Sequence, residues 1–392
     1  MCEITATVIG GGIVGCAVAA GLSGQGVATV LLEKDDAVAR GTTSRNSEVV
    51  HGGMYYPAGS MKARYCVQGR RMLKEFCTAT GVQYRECGKL IVAIADQEIP
   101  ELERLLELGL LNGVEDLRLV DGAELLRLEP EIRAKAGLYS PRTAILDAEG
   151  ATRAYADQAR SQGAQIMISA PVTGLERGRD CWKVQVTPAG DGRREGWSHS
   201  SRLVINAAGL FSDRMAALAG VGIAARGWKL VHSKGNYFRI DPRHAGRVER
   251  LIYPVPPADG SSLGVHVCLD LNGQLRLGPD FESVIGVSGQ EMDPADPLAE
   301  LWDYRVDPSR GAEFFRDATG FLPWLKPEDL GPDQCGIRPK LALSGFRDFV
   351  VCREGGDLTG LINLIGIDSP GLTCAPALAR EVVRLAMELL DE

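Results

Sequence analysis

The stretch TATVIGGGIVGCAVAAGLSGQGVATVLLE, residues 5–33, decides the fold of this chain. It contains a β-branched apolar run, a glycine-rich turn, an alanine-rich segment, a second β-branched run and a final acid, Glu33. This order predicts strand, turn, helix and strand, and the spacing of Gly10, Gly12 and Gly15 matches the signature of a dinucleotide-binding βαβ unit. The sequence therefore predicts a Rossmann-type α/β domain, although this unit alone does not separate FAD from NAD.

Each glycine of this signature, and the final acid of the unit, has a physical role. Gly10 permits the tight turn, Gly12 lets a pyrophosphate approach the backbone, and Gly15 lets the helix pack closely on the sheet. The phosphates then lie at a helix N-terminus, where free N–H groups and the helix dipole favour negative charge. Glu33 ends the second strand and is placed to accept hydrogen bonds from the hydroxyls of an adenosine ribose.

Length and composition limit the classes of protein. A chain of 392 residues with 45% hydrophobic and 24% charged residues is typical of a globular protein with two domains. The formal net charge of −8 and the lack of basic runs argue against a nucleic-acid partner.

The cysteines and the N-terminus suggest a compartment. The ten cysteines form no CxxC pair and no cluster with metal spacing, so we expect free thiols and no metal. We expect no transmembrane segment because no apolar run is long enough to span a bilayer. The first strand starts within a few residues of the N-terminus, which leaves no room for a signal peptide and predicts a cytoplasmic protein. Peripheral contact with the inner membrane stays open.

The rest of the chain alternates between two patterns. A polar, glycine-rich stretch at 40–57 is typical of a ligand loop. Residues 227–350 contain short strands with Pro- and Gly-rich turns, which predict a mixed, mainly antiparallel sheet interrupted by a helix around 298–318. The strand, turn and helix pattern of an α/β unit returns after residue 360. The sequence therefore predicts two interleaved domains.

Five segments resemble the D-amino-acid-oxidase-type family of FAD enzymes, which includes glycine oxidase, sarcosine oxidase and glycerol-3-phosphate dehydrogenase. They are the βαβ unit at 10–33, SRNSEVVHGGMYY at 44–56, NAAGLFS at 206–212, GIRP at 336–339 and LINLIGIDSPGLT at 361–373. Within the family, the 44–56 loop and the motifs KGNY, IYPVP and LGVH are similar to L-2-hydroxyglutarate dehydrogenases.

This resemblance implies a domain division and a set of FAD contacts. Residues 1–85, 145–225 and 335–392 are expected to form a discontinuous FAD-binding domain, and 86–144 and 226–334 a substrate-binding domain. The residues expected to contact FAD are Gly10, Gly12, Ile13, Val14, Gly15, Glu33, Lys34, Thr43, Ser44, Arg45, Asn46, Ser47, Val172, Ala208, Gly209, Arg338, Ser369, Pro370, Gly371, Leu372 and Thr373.

The resemblance also implies a substrate site for a small carboxylic acid. Arg338 is expected to anchor the carboxylate because a guanidinium can bind it through two parallel hydrogen bonds. Ser369 and Tyr56 are expected beside the substrate. Lys234, Tyr253 and Lys340 are candidates to meet a second, distal carboxylate.

Two histidines are candidates for the base that accepts the hydroxyl proton. A neutral imidazole can accept a proton at physiological pH. His51 follows the polar loop, and its alternative roles are to orient the flavin or to bind it covalently. His266 lies in a predicted strand, where it either touches the substrate or is a structural side chain.

The sequence therefore predicts an FAD-dependent oxidation of a small L-2-hydroxy acid, with L-2-hydroxyglutarate first. Hydride would pass from C2 to flavin N5 and leave 2-oxoglutarate. The alternative is oxidation of an amino or imino acid, in which a neutral amine needs no base, and a flavoprotein without catalytic activity is a third reading. The electron acceptor stays open between a quinone, another flavoprotein and oxygen.

Overall fold

The computed structural model describes residues 2–187, 196–256, 264–284 and 302–392. The α-helices in these ranges are α1 Ile13–Gly24, α2 Met61–Thr80, α3 Ile99–Leu111, α4 Gly122–Leu128, α5 Ala148–Ser161, α6 Ser212–Leu218, α7 Gly311–Ala318 and α8 Gly371–Asp391. The strands are β1 Ile4–Ile9, β2 Thr29–Leu32, β3 Val49–Val50, β4 Tyr84–Arg85, β5 Lys89–Ala93, β6 Arg118–Asp121, β7 Ala136–Ser140, β8 Ala144–Leu146, β9 Gln165–Met167, β10 Val172–Arg177, β11 Trp182–Val186, β12 Trp197–Asn206, β13 Val231–Ile240, β14 Leu251–Pro254, β15 Val267–Leu269, β16 Leu275–Leu277, β17 Glu282–Ser283, β18 Leu330–Lys340, β19 Val350–Arg353 and β20 Leu361–Ile365.

The first sheet is the dinucleotide-binding sheet predicted from residues 5–33. Its parallel part has the order β20-β12-β1-β2-β9, and β10, β11 and β19 extend it with antiparallel pairs. α1 contacts both α5 and α8. These helices contact the parallel strands, which explains why β1 and β2 are mostly apolar.

The second sheet is mixed and mainly antiparallel, as the sequence predicts. Its order is β17-β13-β16-β15-β14-β5-β7-β6, with β18 also paired to β13. Among the described strands of this sheet, only β5 and β14 pair in parallel. A buried core that includes Leu90, Ile252 and Phe314 lies between this sheet and its helices. The α/β fold with a second, mixed sheet is therefore confirmed.

A small third sheet has the order β3-β8-β4, and its strand β4 contacts α2. Ser60 caps α2 by accepting a hydrogen bond from the Ala63 N–H, and Gly81 ends the helix in the left-handed region at φ 73°. Within α2, a Cβ at Gly69 would overlap the carbonyl oxygen of Thr373. This glycine therefore lets α2 pack directly on the beginning of α8.

Strand positions bear on the predicted domain division without testing it. The strands of the first sheet lie within 4–32, 165–206 and 350–365, and those of the second within 89–140 and 231–340. β18 runs across the predicted boundary at residue 335. The division stays a prediction.

Two local predictions are wrong. The helix expected around 298–318 is only α7, because residues 302–307 are irregular, and 285–301 lie outside the described residues. His266 does not lie in a strand, because β15 begins at the next residue.

The expectation that all cysteines are free thiols is also wrong. Cys2 and Cys181 form a disulfide with Cα atoms 5.9 Å apart. The register of the first sheet explains the pairing, since Ser201 of β12 pairs with both Ile4 of β1 and Trp182 of β11. Cys2 and Cys181 precede these strands and are brought to the same end of the sheet. The spacing of the cysteines along the sequence does not indicate this long-range disulfide.

Candidate active site

A cavity of about 610 Å³ lies between the two large sheets. Its wall contains Gly10 after β1, Tyr237 on β13 and Arg338 on β18, so both sheets contribute. This volume is within the range of cofactor and substrate sites. One end of the cavity is built mainly from backbone and the other from side chains.

The backbone end is formed by the glycine turn and the start of α1. Gly10 has φ 107°, and a Cβ there would lie 2.5 Å from the carbonyl oxygen of Ala207. A Cβ at Gly15 would overlap the carbonyl oxygen of Gly10, so only glycine allows α1 to pack this closely. Gly12 lines the cavity, and a Cβ there would meet only the Thr43 hydroxyl, at 3.3 Å, so the backbone at this position is open to a ligand. These positions fit a dinucleotide cofactor.

Glu33 lies at the end of β2 and lines the same end of the cavity. Its Oε2 accepts a hydrogen bond of 2.5 Å from the Gly11 N–H, and its Oε1 accepts one of 2.9 Å from the Asp35 N–H. Burial raises the pKa of this carboxyl group. The carboxylate oxygens can accept further hydrogen bonds, which suits contact with ribose hydroxyls.

The polar loop after β2 crosses the cavity beside this turn. The Thr43 hydroxyl accepts a hydrogen bond from the Ile13 N–H at 3.2 Å, and the Asn46 amide donates to the Thr42 and Thr43 carbonyls. The loop passes β18 at Gly336, where a Cβ would overlap the Arg45 carbonyl oxygen. The glycine of the GIRP motif therefore allows close contact between the loop and the second sheet.

The structure brings most of the predicted cofactor residues together. Those that line the cavity are Gly10, Gly12, Ile13, Val14, Glu33, Lys34, Thr43, Arg45, Asn46, Ser47, Val172, Ala208, Gly209, Arg338, Ser369, Pro370, Gly371 and Leu372. Gly15, Ser44 and Thr373 are not in the lining. Gly15 allows α1 to pack against the glycine turn. Thr373 is buried, and its hydroxyl accepts a hydrogen bond of 2.9 Å from the His51 N–H.

The turn before α8 carries a charged group that the sequence did not suggest. Asp368 lines the cavity and receives hydrogen bonds from the ammonium groups of Lys62, at 2.6 Å, and Lys340, at 3.3 Å. The N-terminus of α8 follows three residues later. The two ammonium groups and the free N–H groups at the start of this helix therefore lie on the same side of the cavity. This arrangement suits the negative charge that a reduced flavin carries at its N1–C2=O side.

The two candidate histidines line the substrate end of the cavity. The Nε2 of His51 lies 3.5 Å from the Ser369 hydroxyl, and the Nδ1 of His266 lies 2.7 Å from the Gly264 carbonyl oxygen. Because a carbonyl only accepts, Nδ1 of His266 carries the proton and Nε2 holds the lone pair. Burial lowers the pKa of His51 well below its usual value and that of His266 to about 3. Both rings are therefore neutral at pH 7.

Arg338 and Lys340 reach the cavity from the same face of β18 because they are two residues apart. The guanidinium of Arg338 donates one hydrogen bond to the Asp280 carbonyl oxygen at 2.7 Å, which leaves further N–H groups for a carboxylate. Tyr56, Tyr253 and Ser369 also line the cavity, as expected.

Lys234 does not line the cavity, contrary to expectation. On β13 it pairs with Ile337, whereas Arg338 pairs with Ser233, so Lys234 and Arg338 point to opposite faces of the sheet. Its ammonium donates to the Arg305 carbonyl oxygen at 2.6 Å. The motif KGNY identified the right strand, but the register decides which side chain faces the ligand.

Within the described residues, no helix is long and apolar enough to cross a membrane. The same residues contain no group of three or more His, Cys, Asp or Glu side chains arranged to hold a metal ion.

Comparisons with known proteins indicate the family of this chain. The family described as FAD dependent oxidoreductase matches residues 5–385. The chain is 35% identical to the mitochondrial L-2-hydroxyglutarate dehydrogenase of Arabidopsis thaliana, covering 97% of this chain and 83% of the relative. It is also 35% identical to the mitochondrial enzyme of that name from Mus musculus, covering 97% of this chain and 88% of the relative.

Among solved structures, the dithionite-reduced L-alpha-glycerophosphate oxidase of Mycoplasma pneumoniae with FAD bound is similar with a TM-score of 0.82 and 25% identity. The alignment covers 98% of this chain and 94% of that chain.

The expectation of a cytoplasmic protein is wrong, because these curated relatives are mitochondrial enzymes. The expectation was based on the few residues that precede β1, and their number does not indicate the cellular compartment. The expectations of family and cofactor are confirmed. With a family match over nearly its whole length and a cavity whose glycine turn, acid and helix N-terminus fit a dinucleotide, the chain belongs to the FAD-dependent oxidoreductase family, and its cofactor is FAD.

Proposed function

We propose that this protein oxidises L-2-hydroxyglutarate to 2-oxoglutarate. The observation that carries the proposal is the substrate end of the cavity, where an arginine and two neutral histidines face the same space. Oxidation of a 2-hydroxy acid requires a cation to bind the carboxylate and a base to accept the hydroxyl proton. The arginine and the histidines at the substrate end can fill these two roles. The names of the curated relatives support the choice of acid. FAD bound in this cavity would supply the acceptor for the hydride from C2.

Arg338 binds the C1 carboxylate. Its guanidinium is held by the Asp280 carbonyl, so the side chain enters the cavity in one orientation. A planar, two-point contact with a carboxylate then fixes the direction of the C2–H bond. Such positioning accounts for a large part of the rate that an enzyme gains.

His51 accepts the hydroxyl proton of the substrate. Burial and the nearby charge of Lys89 lower its pKa, so the ring is neutral at physiological pH and one ring nitrogen has a lone pair that can accept a proton. Its backbone N–H is fixed on Thr373 at the start of α8, and its Nε2 lies near Ser369 in the turn before that helix. The proton acceptor is therefore held beside the turn before α8, whose residues would contact the flavin.

His266 is the second candidate for this base. Its Nδ1 is fixed on the Gly264 carbonyl, so its Nε2 has an available lone pair. The Tyr253 ring stacks on it, with ring centroids 3.6 Å apart, and holds the imidazole plane. Replacing each histidine separately distinguishes the two candidate bases.

The proposed function is tested by anaerobic mixing of the FAD-loaded protein with single substrates. We expect L-2-hydroxyglutarate to bleach the flavin absorbance and to yield 2-oxoglutarate, while L-glutamate, glycine and D-amino acids leave the flavin oxidised. No electron acceptor is needed for this half-reaction. If only an amino or imino acid bleaches the flavin, the protein is an amine oxidase instead. If no acid bleaches it, the proposed catalytic function is wrong.

A further inference from the structure

Lys89 is a buried cation next to the substrate end of the cavity. It lies at the start of β5, and its side chain has no exposed surface. Its ammonium has no hydrogen-bond partner among the described residues and lies 4.1 Å from the ring centroid of Tyr253 and 5.0 Å from that of Tyr55. Burial lowers its pKa to about 8, so the charged form still predominates at pH 7. Burial of an unpaired ammonium is unfavourable, which calls for a compensating interaction.

The side chains around Lys89 also have unused polar atoms. Within the described part of the chain, the hydroxyls of Tyr55 and Tyr253 and the Nδ1 of His51 are buried without a hydrogen-bond partner. Each of these three side chains lines the cavity, although Lys89 itself lies behind them. Burial raises the pKa of both tyrosines, so their hydroxyls keep their protons and act as donors.

Sheet register explains why these groups meet. Lys89 and Ile91 of β5 pair in parallel with Leu251 and Tyr253 of β14, so Lys89 and Tyr253 share one face of the sheet. Since buried polar atoms in folded proteins nearly always have partners, a cluster of unused donors at a cavity wall indicates a missing acceptor. A positive charge behind two hydroxyl donors is the environment that suits an anion.

We propose that Lys89 is a specificity-determining positioning residue whose charge, acting across the rings of Tyr55 and Tyr253, selects substrates with a second carboxylate. The hydroxyls of the two tyrosines donate to that carboxylate, and the ammonium behind them balances its charge. Arg338 meanwhile holds the C1 carboxylate. This inference deepens the proposed function and rests on it, because it explains why a five-carbon dicarboxylic acid would be preferred.

Three other lysines near the site donate hydrogen bonds to oxygens of the protein. Lys340 and Lys62 bind the carboxylate of Asp368, and Lys234 binds the Arg305 carbonyl on the opposite face of β13. In a water-poor environment a charge a few ångströms away exerts a much larger effect than in water. Lys89, whose ammonium lies 4.1 Å from the ring centroid of Tyr253, is therefore placed to act on a distal carboxylate beside that ring.

The test compares two non-reactive ligands in the FAD-loaded protein, glutarate and pentanoate, by the change in flavin absorbance. Both have five carbons, but pentanoate lacks the second carboxylate. We expect the wild type to bind glutarate more tightly than pentanoate. In Lys89→Met, which keeps the length of the side chain and removes its charge, we expect the Kd of glutarate to rise about tenfold or more, and that of pentanoate to stay within about twofold.

Lys74→Met is the matched control, because it removes one positive charge from an exposed side chain that pairs with Glu86. It should leave both Kd values unchanged. In steady-state kinetics, Lys89→Met should raise the KM for L-2-hydroxyglutarate far more than it lowers kcat, and should leave the KM for L-2-hydroxypentanoate almost unchanged.

Three results would overturn the inference: a wild type without preference for glutarate, an unchanged preference in Lys89→Met, or equal weakening of both ligands, which would show a purely structural role. If Lys89→Met does not retain FAD, Tyr253→Phe gives the decisive result, since it removes one donor and keeps the ring. An unchanged preference for glutarate in Tyr253→Phe would then overturn the inference. Ligand binding needs no turnover, so failure to oxidise L-2-hydroxyglutarate would contradict the proposed function while these Kd values still test Lys89.

Discussion

The two ends of the cavity are built in different ways. The nucleotide end consists mainly of backbone, and Gly10, Gly12 and the start of α1 at its centre come from one continuous stretch. The substrate end consists of side chains from distant segments, among them His51, Tyr253 and Arg338. The difference shows that a site made of main chain can be identified from local sequence, whereas a site made of side chains depends on strand register.

The largest effect is expected at the nucleotide end from Gly15→Ala. The new methyl group would overlap the Gly10 carbonyl oxygen, which is backbone and cannot move aside cheaply. We expect a loss of about 3 kcal/mol in the free energy of unfolding, measured by chemical denaturation, and loss of bound FAD.

Gly24→Ala is the matched control, because it makes the same change at the other end of α1. The nearest atom to its Cβ is the flexible Gln162 side chain at 3.3 Å. This variant should keep its FAD and be as stable as the wild type or slightly more stable, since alanine favours helix. Equal stability of the two variants would show that close packing at Gly15 does not hold the nucleotide end together.

At the substrate end, His51→Gln should reduce the rate of flavin reduction by L-2-hydroxyglutarate by roughly 10²–10⁴-fold, the usual contribution of a general base. His266→Gln, examined in parallel, should reduce it much less. Because burial lowers the pKa of His51, the wild-type rate should be constant above pH 7 and fall only as the pH drops through that lowered pKa.

The reverse order of effects would assign the base to His266. Loss of bound flavin in His51→Gln would instead indicate that this residue orients the cofactor. Losses below about fivefold in both variants would favour a mechanism without a base, as in amine oxidation.

A smaller effect is expected from Arg338→Lys, which keeps the charge but loses the planar two-point grip on the carboxylate. We expect a higher KM and a lower kcat at unchanged FAD content and stability, as C2 is no longer held in a reactive pose. Wild-type kinetics in this variant would show that the carboxylate is held elsewhere.

The comparison of the two ends also explains what the sequence could predict. The βαβ unit, the mixed second sheet and the closing helix followed from local patterns because each pattern lies within one or two neighbouring elements. The residues of the polar loop and of the turn before α8 were identified by family resemblance, and most of them line the cavity.

Lys234 and Lys89 show where such prediction ends. Both lie in strands of the same sheet, but Lys234 points away from the cavity and Lys89 points toward the tyrosines that line it. The pairing of β13 with β18 and of β5 with β14 decides this difference, and neither pairing can be deduced from the spacing of residues. The Cys2–Cys181 disulfide was missed for the same reason.

The central claim is that the C2–H bond of L-2-hydroxyglutarate is broken by hydride transfer in this cavity. Its most direct test is the rate of anaerobic flavin reduction by L-2-hydroxyglutarate with hydrogen or deuterium at C2. We predict slower reduction with deuterium, one equivalent of 2-oxoglutarate per flavin, and no reduction by the D enantiomer. A flavin that stays oxidised with both isotopic forms would contradict the account.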